Sequence, residues 1–184
     1  MANSQLGGRE RYAHRMTTVD LRTLRLRPGE VRRETLDVEL EPFVLGGQRY
    51  EASPASIPVT LELSQASGAT VIEMRLAVHL SGACMRCLGH AETSRDIRAR
   101  EFHDFDAPPG DELRSDYVVD EHLQLSTWAR DAVALELPDQ ILCREDCAGL
   151  CPVCGKDLNV EPHEHLERDP DPRWAALEEL RGQL

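Results

Sequence analysis

Six cysteines in three closely spaced pairs constrain this chain of 184 residues more than any other feature. Two pairs have the spacing C-x-x-C and one has C-x3-C: Cys84 with Cys87, Cys151 with Cys154, and Cys143 with Cys147. These spacings allow two thiolates to reach one tetrahedral ion from a single tight turn. The first residues contain no apolar run of the secretory type, so we expect a cytoplasmic protein, in which structural disulfides are rare. The paired cysteines therefore predict metal binding.

Two histidines downstream of the last cysteine pair complete the set of candidate ligands. His163 and His165 flank Glu164 within a charged, proline-rich segment. Two tetrahedral zinc ions require eight ligands, and the cysteines and these two histidines supply that number. We predict two structural zinc sites with the following ligands: Cys84, Cys87, Cys143 and Cys147 for the first, and Cys151, Cys154, His163 and His165 for the second.

Other divisions of the ligands stay open, because spacing alone does not separate them. Two alternatives use only cysteines: Cys143, Cys147, Cys151 and Cys154 around one ion, or Cys84 and Cys87 with Cys151 and Cys154. The histidine pair also fits a solvated linker. The remaining histidines are predicted to be ordinary surface or strand residues: His14, His79, His90, His103 and His122.

The candidate ligand sets favour a structural metal over a catalytic one. A catalytic zinc keeps an open coordination position, whereas four thiolate and imidazole ligands fill a tetrahedron. Glu164 between two histidines does not form the H-E-x-x-H pattern, and no phosphate loop, nucleophile elbow or dinucleotide fingerprint occurs. We predict that the protein is not an enzyme. The alternative is a metal-dependent RNA-processing nuclease or a thiol redox protein, acting through Glu164 or Cys87.

The first part of the chain has the period-two pattern of strands with one wet face. Apolar and polar residues alternate over 36–40, 59–63 and 74–80, and a more polar strand is predicted over 90–102. A turn at Ser67-Gly68 predicts an antiparallel pair, and the first cysteine pair falls at the next tight connection. A shorter strand is predicted over 19–26. The segment GGQRYEASPAS between the first two strands is interpreted as a loop.

The second part of the chain changes to a helical period. Ser126 is a candidate N-cap for a helix that Pro138 ends, with one apolar face formed by Leu125, Trp128, Ala129, Ala132 and Val133. A C-terminal helix is predicted over 171–182, with Asp171 as its cap. The class predicted is α+β: a predominantly antiparallel sheet with a few helices and a C-terminal zinc-knuckle segment.

A single domain is predicted over residues 16–184, after a disordered tail at 1–15. Within it, 139–168 is the Cys/His metal-binding segment. Charge is divided unevenly along this chain: residues 1–33 carry +5, which leaves −17 for the rest of a total of −12. This balance excludes RNA binding by the whole surface. It suits a basic partner such as a ribosomal protein, or an arm that touches phosphates. No apolar run is long enough to span a membrane.

Four sequence elements in this order resemble the bacterial YceD family, whose members are described as large ribosomal RNA subunit accumulation proteins. They are GACMRCL, ALELP, LCREDCAGLCPVCGKDLN and DPRWAALEEL. The resemblance spans roughly residues 15–182. It implies a non-enzymatic role in accumulating large-subunit ribosomal RNA, through processing or assembly. The partners implied are the pre-ribosomal large subunit, its RNA, or a basic ribosomal protein.

The family pattern transfers onto the three cysteine pairs of this chain. Cys84 and Cys87 match the family's first pair, and the later pairs match the cysteines before and within its C-P-x-C-G knuckle. His163 and His165 stand where many relatives have cysteine, a change that zinc tolerates. Some relatives lack the knuckle but keep the first pair, which favours two separate sites.

Overall fold

A long antiparallel sheet dominates the computed structural model, which describes residues 16–24, 26–27, 29–66 and 68–165. Its strands are β1 (Val19–Asp20), β2 (Val31–Glu39), β3 (Phe43–Leu45), β4 (Gln48–Ala52), β5 (Ser56–Ala66), β6 (Ala69–Ala83), β7 (His90–His103), β8 (Val118–Val119) and β9 (His122–Leu123). A 3-10 turn spans Leu21–Leu24 and the helix α1 spans Leu125–Glu136. No helix in this described part is long and apolar enough to cross a membrane.

The longest strand, β6, is the centre of the main sheet. β7 pairs with one edge of β6 along its whole length, from Thr70↔His103 to Ala83↔His90. On the other edge, β5 pairs with the first half of β6 and β4 with its end, while β2 and β3 extend the sheet outward. All these pairs are antiparallel. The strands β1, β9 and β8 form a separate small sheet.

The alternating pattern predicts the strands and their inner face correctly. Along β6 the even-numbered apolar residues are buried, and the register places them beside the buried residues of β5. The helix α1 contacts β7 and β2 and buries the face predicted for it: Leu125, Trp128, Ala129, Ala132 and Val133. The predicted turn is also confirmed, because Ala66 pairs with Ala69 around Gly68 at φ +91°. Burial of one face thus sets the register.

The predicted α+β class with a few helices is wrong: the predominantly antiparallel sheet is observed, but the described residues contain one α-helix and their regular structure is mainly β. Several segments without a clear period form strands because they add to edges already present. The predicted loop at 46–56 contains β4, in which Tyr50 is fully buried and donates a hydrogen bond of 2.6 Å to the Ala83 carbonyl. The predicted tail at 1–15 and helix at 171–182 lie outside the described residues.

The predicted strand at 19–26 is also largely wrong, because among the residues of this range that the structure describes only Val19–Asp20 forms a strand. The Asp20 carboxylate accepts a hydrogen bond of 2.9 Å from the Arg22 amide, and the Thr23 hydroxyl donates to the Asp20 carbonyl at 2.9 Å. These local bonds compete with a sheet ladder and turn the chain into the 3-10 segment.

The helix α1 begins two residues earlier than predicted. Its N-cap position is Gln124, which makes no side-chain capping bond. Ser126 lies inside the first turn instead, where its hydroxyl accepts a hydrogen bond of 2.8 Å from the Thr17 amide. The predicted end is confirmed: the helix stops at Glu136, and the next residue is extended, as expected before Pro138. Ser126 therefore ties the N-terminal segment to the helix.

His103 is a strand residue, as predicted, but it is fully buried at the end of β7. Neither ring nitrogen has a hydrogen-bond partner in the described part of the chain, and the Phe105 ring packs edge-on at 4.6 Å. Burial lowers the pKa of His103, and the positive charge of Arg114 lowers it further. The negative charge of Asp104 acts in the opposite direction but does not outweigh them. The imidazole is therefore held neutral in the folded protein.

Replacing His103 by phenylalanine is expected to raise the free energy of unfolding by about 1–2 kcal/mol, because a buried polar group without a partner is removed. The gain should grow as the pH falls below about 6.5, where the unfolded imidazole binds a proton that the folded one resists. Denaturant unfolding between about pH 8 and pH 5.5 checks this. A constant difference between the two proteins across that range would contradict it.

Candidate metal centres

The first cysteine pair lies in the tight connection between β6 and β7, as predicted. The Cys84 amide donates a hydrogen bond of 2.6 Å to the Gly89 carbonyl, and the Leu88 amide donates to the Cys84 carbonyl at 3.0 Å. Leu88 has φ +61°, a left-handed conformation that is rare for leucine. The turn thus directs both Cys84 and Cys87 toward one side.

The last cysteine pair lies in a turn with the same hydrogen-bond pattern. The Cys151 amide donates to the Lys156 carbonyl at 2.8 Å, and the Gly155 amide donates to the Cys151 carbonyl at 2.8 Å. Gly155 has φ +75°, a left-handed conformation that glycine adopts without a steric cost. Leu88 is the counterpart of Gly155, so the two turns have equivalent backbone conformations.

The first group of candidate ligands brings together residues from distant parts of the chain: Cys84, Cys87, Cys143 and Cys147. The Cys84 and Cys147 sulfurs are 3.8 Å apart, and those of Cys87 and Cys143 are 3.6 Å apart. A disulfide requires about 2.05 Å, and these cysteines are free. Around zinc, with Zn–S bonds of about 2.3 Å, tetrahedral sulfurs lie about 3.8 Å apart. The spacing therefore suits a tetrahedral ion.

The second group lies in the C-terminal part of the described chain and comprises Cys151, Cys154, His163 and His165. His163 Nε2 is 3.1 Å from the Cys154 sulfur, and the His165 ring packs edge-on against the His163 ring at 4.9 Å. The Nδ1–H of His163 donates a hydrogen bond of 2.7 Å to the Glu161 carbonyl. This bond fixes the tautomer that leaves Nε2 free to bind metal.

The geometry distinguishes the predicted division of ligands from its alternatives. Within each group the ligand atoms all lie within 4.8 Å of one another, and the two groups are those preferred from the sequence. Cys84 and Cys87 meet the pair that follows α1, not the C-terminal knuckle. Both groups could hold a metal ion.

Comparison with known proteins identifies the family to which this chain belongs. Residues 72–181 match the family model described as "Large ribosomal RNA subunit accumulation protein YceD". The chain belongs to the YceD family. It is 33% identical over 178 residues to the uncharacterized protein Rv2926c of Mycobacterium tuberculosis, covering 94% of this chain and 85% of that relative.

A second relative lies outside the mycobacteria. The uncharacterized protein YlbN of Bacillus subtilis is 33% identical over 104 residues, which are 54% of this chain and 59% of that relative. No solved structure matches the chain. The resemblance to the YceD family read from the cysteine motifs is confirmed.

In this member of the YceD family, backbone contacts hold the segment after α1 against the first knuckle. The Met85 amide donates to the Ile141 carbonyl at 3.0 Å, and the Leu150 amide donates to the Arg86 carbonyl at 3.1 Å. The Arg86 guanidinium also donates to the Cys147 carbonyl at 3.2 Å. These hydrogen bonds hold Cys143 and Cys147 opposite Cys84 and Cys87 without any contribution from a metal ion.

Asn159 contacts the first group, and its role is not predicted from the sequence. Its side-chain amide donates to the Cys147 sulfur at 3.5 Å, and its Oδ1 accepts from the Ala148 amide and the Arg144 guanidinium, each at 2.8 Å. A donor to a ligating sulfur orients and stabilises the thiolate. Its position at the end of the motif GLCPVCGKDLN is the only signal that could have identified it.

Each knuckle of this YceD-family chain favours one ionised sulfur. Burial opposes ionisation of Cys84, but the amides of Cys87, Arg86 and Cys143 outweigh it and lower its pKa to about 6. For Cys151, the Cys154 amide is the main cause of a pKa lowered to about 6. Burial and then the neighbouring thiols raise the pKa of Cys143 to about 12. Full ionisation of a group therefore calls for a cation among the sulfurs.

Proposed function

We propose that this protein is a zinc-binding, non-catalytic factor that promotes accumulation of large-subunit ribosomal RNA in the cytoplasm, through processing or assembly. Membership of the YceD family supports the link to large-subunit RNA. The observation that carries the rest is the assembly of two complete four-ligand groups from six cysteines and two histidines. With metal bound, these two groups would hold a binding surface in a fixed shape.

Zinc is the metal that these donors suit best. Thiolate and imidazole ligands in a set of four are typical of structural zinc, whereas hard cations prefer oxygen. The first group uses only sulfur, and the second combines two sulfurs with two ring nitrogens. The residues thus fit two tetrahedral ions, which would be held by Cys84, Cys87, Cys143 and Cys147 and by Cys151, Cys154, His163 and His165.

The same ligand count favours a structural role over a catalytic one. Four protein ligands occupy all four coordination positions of a tetrahedral ion, so no position is left for a reacting water. Glu164 is exposed, and both of its neighbours in sequence belong to the ligand group. An RNA-cleaving or thiol-exchanging activity of the purified protein that is lost in Glu164→Gln or Cys87→Ser would instead favour the enzyme alternative.

The partner proposed is the pre-ribosomal large subunit. The acidic body of the chain, within a net charge of −12, complements basic ribosomal proteins, while ribosomal RNA requires a local positive surface. Sedimentation of the protein with large-subunit precursors is therefore expected.

A deletion strain tests the proposed function. We expect the ratio of mature large-subunit to small-subunit RNA to fall, and the wild-type gene to restore it. The double variant Cys84→Ser/Cys87→Ser should not restore the ratio, because it loses two ligands of the first group. A matched control, Ser81→Ala/Ser94→Ala, changes residues of the neighbouring strands and should restore it. A normal ratio in the deletion strain would refute the proposal.

A further inference from the structure

The outer face of the main sheet, opposite the core, carries a cluster of charged residues at the end nearest the β5–β6 turn. Two neighbouring rows of the cross-strand register form this cluster: Arg33, Glu62, Glu73 and Arg100 in one, and Thr35, Thr60, Arg75 and Arg98 in the other. We call the surface formed by these rows the arginine face.

Cations outnumber anions on the arginine face because three guanidiniums share one carboxylate. Glu73, whose side chain is 13% exposed, pairs with Arg75 at 3.5 Å, with Arg98 at 3.4 Å and with Arg100. The side chains of these three arginines are 51%, 66% and 55% exposed. Each guanidinium has five donors, so most of them remain directed at solvent. The carboxylate thus fixes a group of cations that it does not neutralise.

One cross-strand pair on this face works against the stability of the sheet. Arg75 lies directly opposite Arg98, and like charges in such pairs are destabilising. The rest of their row contains only Thr35 and Thr60, which carry no charge. Cross-strand ion pairing therefore explains Arg33 with Glu62, but it does not explain Arg75 facing Arg98. Glu73 offsets part of this repulsion, because its Oε2 lies 3.5 Å from Arg75 and 3.4 Å from Arg98. An external anion bound to the exposed guanidinium donors would offset the rest.

We propose that the arginine face binds the phosphate backbone of single-stranded RNA. This inference rests on the proposed function, in which the protein acts on ribosomal RNA. Guanidinium groups recognise phosphate with paired hydrogen bonds, and three of them held by one carboxylate form a preorganised anion site. The face supplies a local positive surface on a chain whose net charge is −12.

One feature next to the cluster favours RNA over an acidic protein segment. Phe102 follows Arg100 by two residues on the same face of β7 and is 51% exposed, which offers a stacking platform for an unpaired base.

The next row of the register limits the site. Asp37 and Asp96 lie on the same face beyond the arginine pair, where Asp37 pairs with Pro58 and Asp96 with Ala77. These carboxylates would repel a phosphate backbone. RNA is therefore directed across the arginine rows toward Phe102 instead of along the whole sheet.

Fluorescence anisotropy with a labelled oligouridine of about 20 nucleotides tests the inference on the full-length, metal-loaded protein. The double variant Arg75→Gln/Arg98→Gln should weaken binding at least tenfold at about 50 mM salt and reduce the salt slope by about 1.4, for two lost phosphate contacts. Its unfolding midpoint should change little, because the variant removes a like-charge pair together with two exposed ion pairs to Glu73, which keeps its pair with Arg100. Phe102→Ala, which leaves every arginine in place, should weaken binding several-fold.

The matched control is Arg32→Gln/Arg49→Gln, which changes the net charge by the same amount. Arg32 lies on the other side of β2 and Arg49 lies on β4, and both are exposed in ion pairs with neighbouring glutamates. We expect its RNA affinity to stay within about twofold of wild type, because exposed pairs contribute little.

Two results would overturn the inference: equal loss of affinity in both double variants, or wild-type protein that binds polyglutamate through Arg75 and Arg98 but not oligouridine. Either result leaves the proposed function standing if the deletion strain still loses large-subunit RNA. A normal deletion strain would refute the proposed function without altering RNA binding by the purified protein.

Discussion

Replacing Cys84 by serine is expected to remove one zinc ion per chain and to lower the free energy of unfolding by about 4 kcal/mol. Cys84 is fully buried, and its sulfur meets that of Cys147 across 63 residues of chain. An ion held by both therefore closes a long loop that joins the sheet to the segment after α1. Denaturant unfolding followed by circular dichroism, with elemental analysis of the native protein, measures both effects.

The control for this prediction is Cys154→Ser. It should also remove one ion, but its group is formed by residues 151–165, so the loop it closes is short. We expect the main unfolding transition to shift by less than about 1 kcal/mol, while protease cleaves the C-terminal knuckle faster. Equal losses of stability in the two variants would mean that the first group is not a cross-link between distant segments.

Replacing Gly149 by alanine is expected to lower the free energy of unfolding by about 2–3 kcal/mol and to speed the removal of zinc by a chelator. Gly149 has φ +79°, where a side chain is strained, and an added Cβ would lie 3.2 Å from the Arg86 carbonyl oxygen and 3.3 Å from the Arg86 Cβ. Arg86 lies within the first knuckle, so the contact would push apart the segments that hold both groups.

Gly110 provides a matched control for the backbone strain. It has φ +84°, but an added Cβ there would meet nothing within 4 Å. Gly110→Ala should therefore lower stability by about 1–2 kcal/mol from strain alone and leave the rate of zinc removal unchanged. If both variants lost zinc equally fast, the close approach of residue 149 to the first knuckle would not matter for metal retention.

The long strands could be predicted from the sequence because burial of one face imposes a period of two. The same signal is absent from β4 and from the three strands of the small sheet, β1, β8 and β9, because these strands are only two to five residues long. These strands form because an edge is available in the folded protein, as Tyr50 shows by packing beside the end of β6. Such strands depend on tertiary structure that no local pattern records.

The candidate metal site shows a similar limit. Cysteine spacing identifies the pairs, since two ligands on one turn are a local property. It leaves several divisions open, because which pairs meet depends on how α1 packs on the sheet. The supporting residues carry even less signal: Asn159 and Arg86 are defined by their contacts with Cys147. The arginine face likewise becomes visible only when the register places Arg75 opposite Arg98.

Zinc content and X-ray absorption of the purified protein test the central claim most directly. Two filled tetrahedra with the ligands described predict two zinc ions per chain, with an average of three sulfur ligands at about 2.3 Å and one nitrogen at about 2.0–2.1 Å. A single ion per chain, or an oxygen ligand from an exchangeable water, would contradict the account, because a group would then be incomplete or open to substrate.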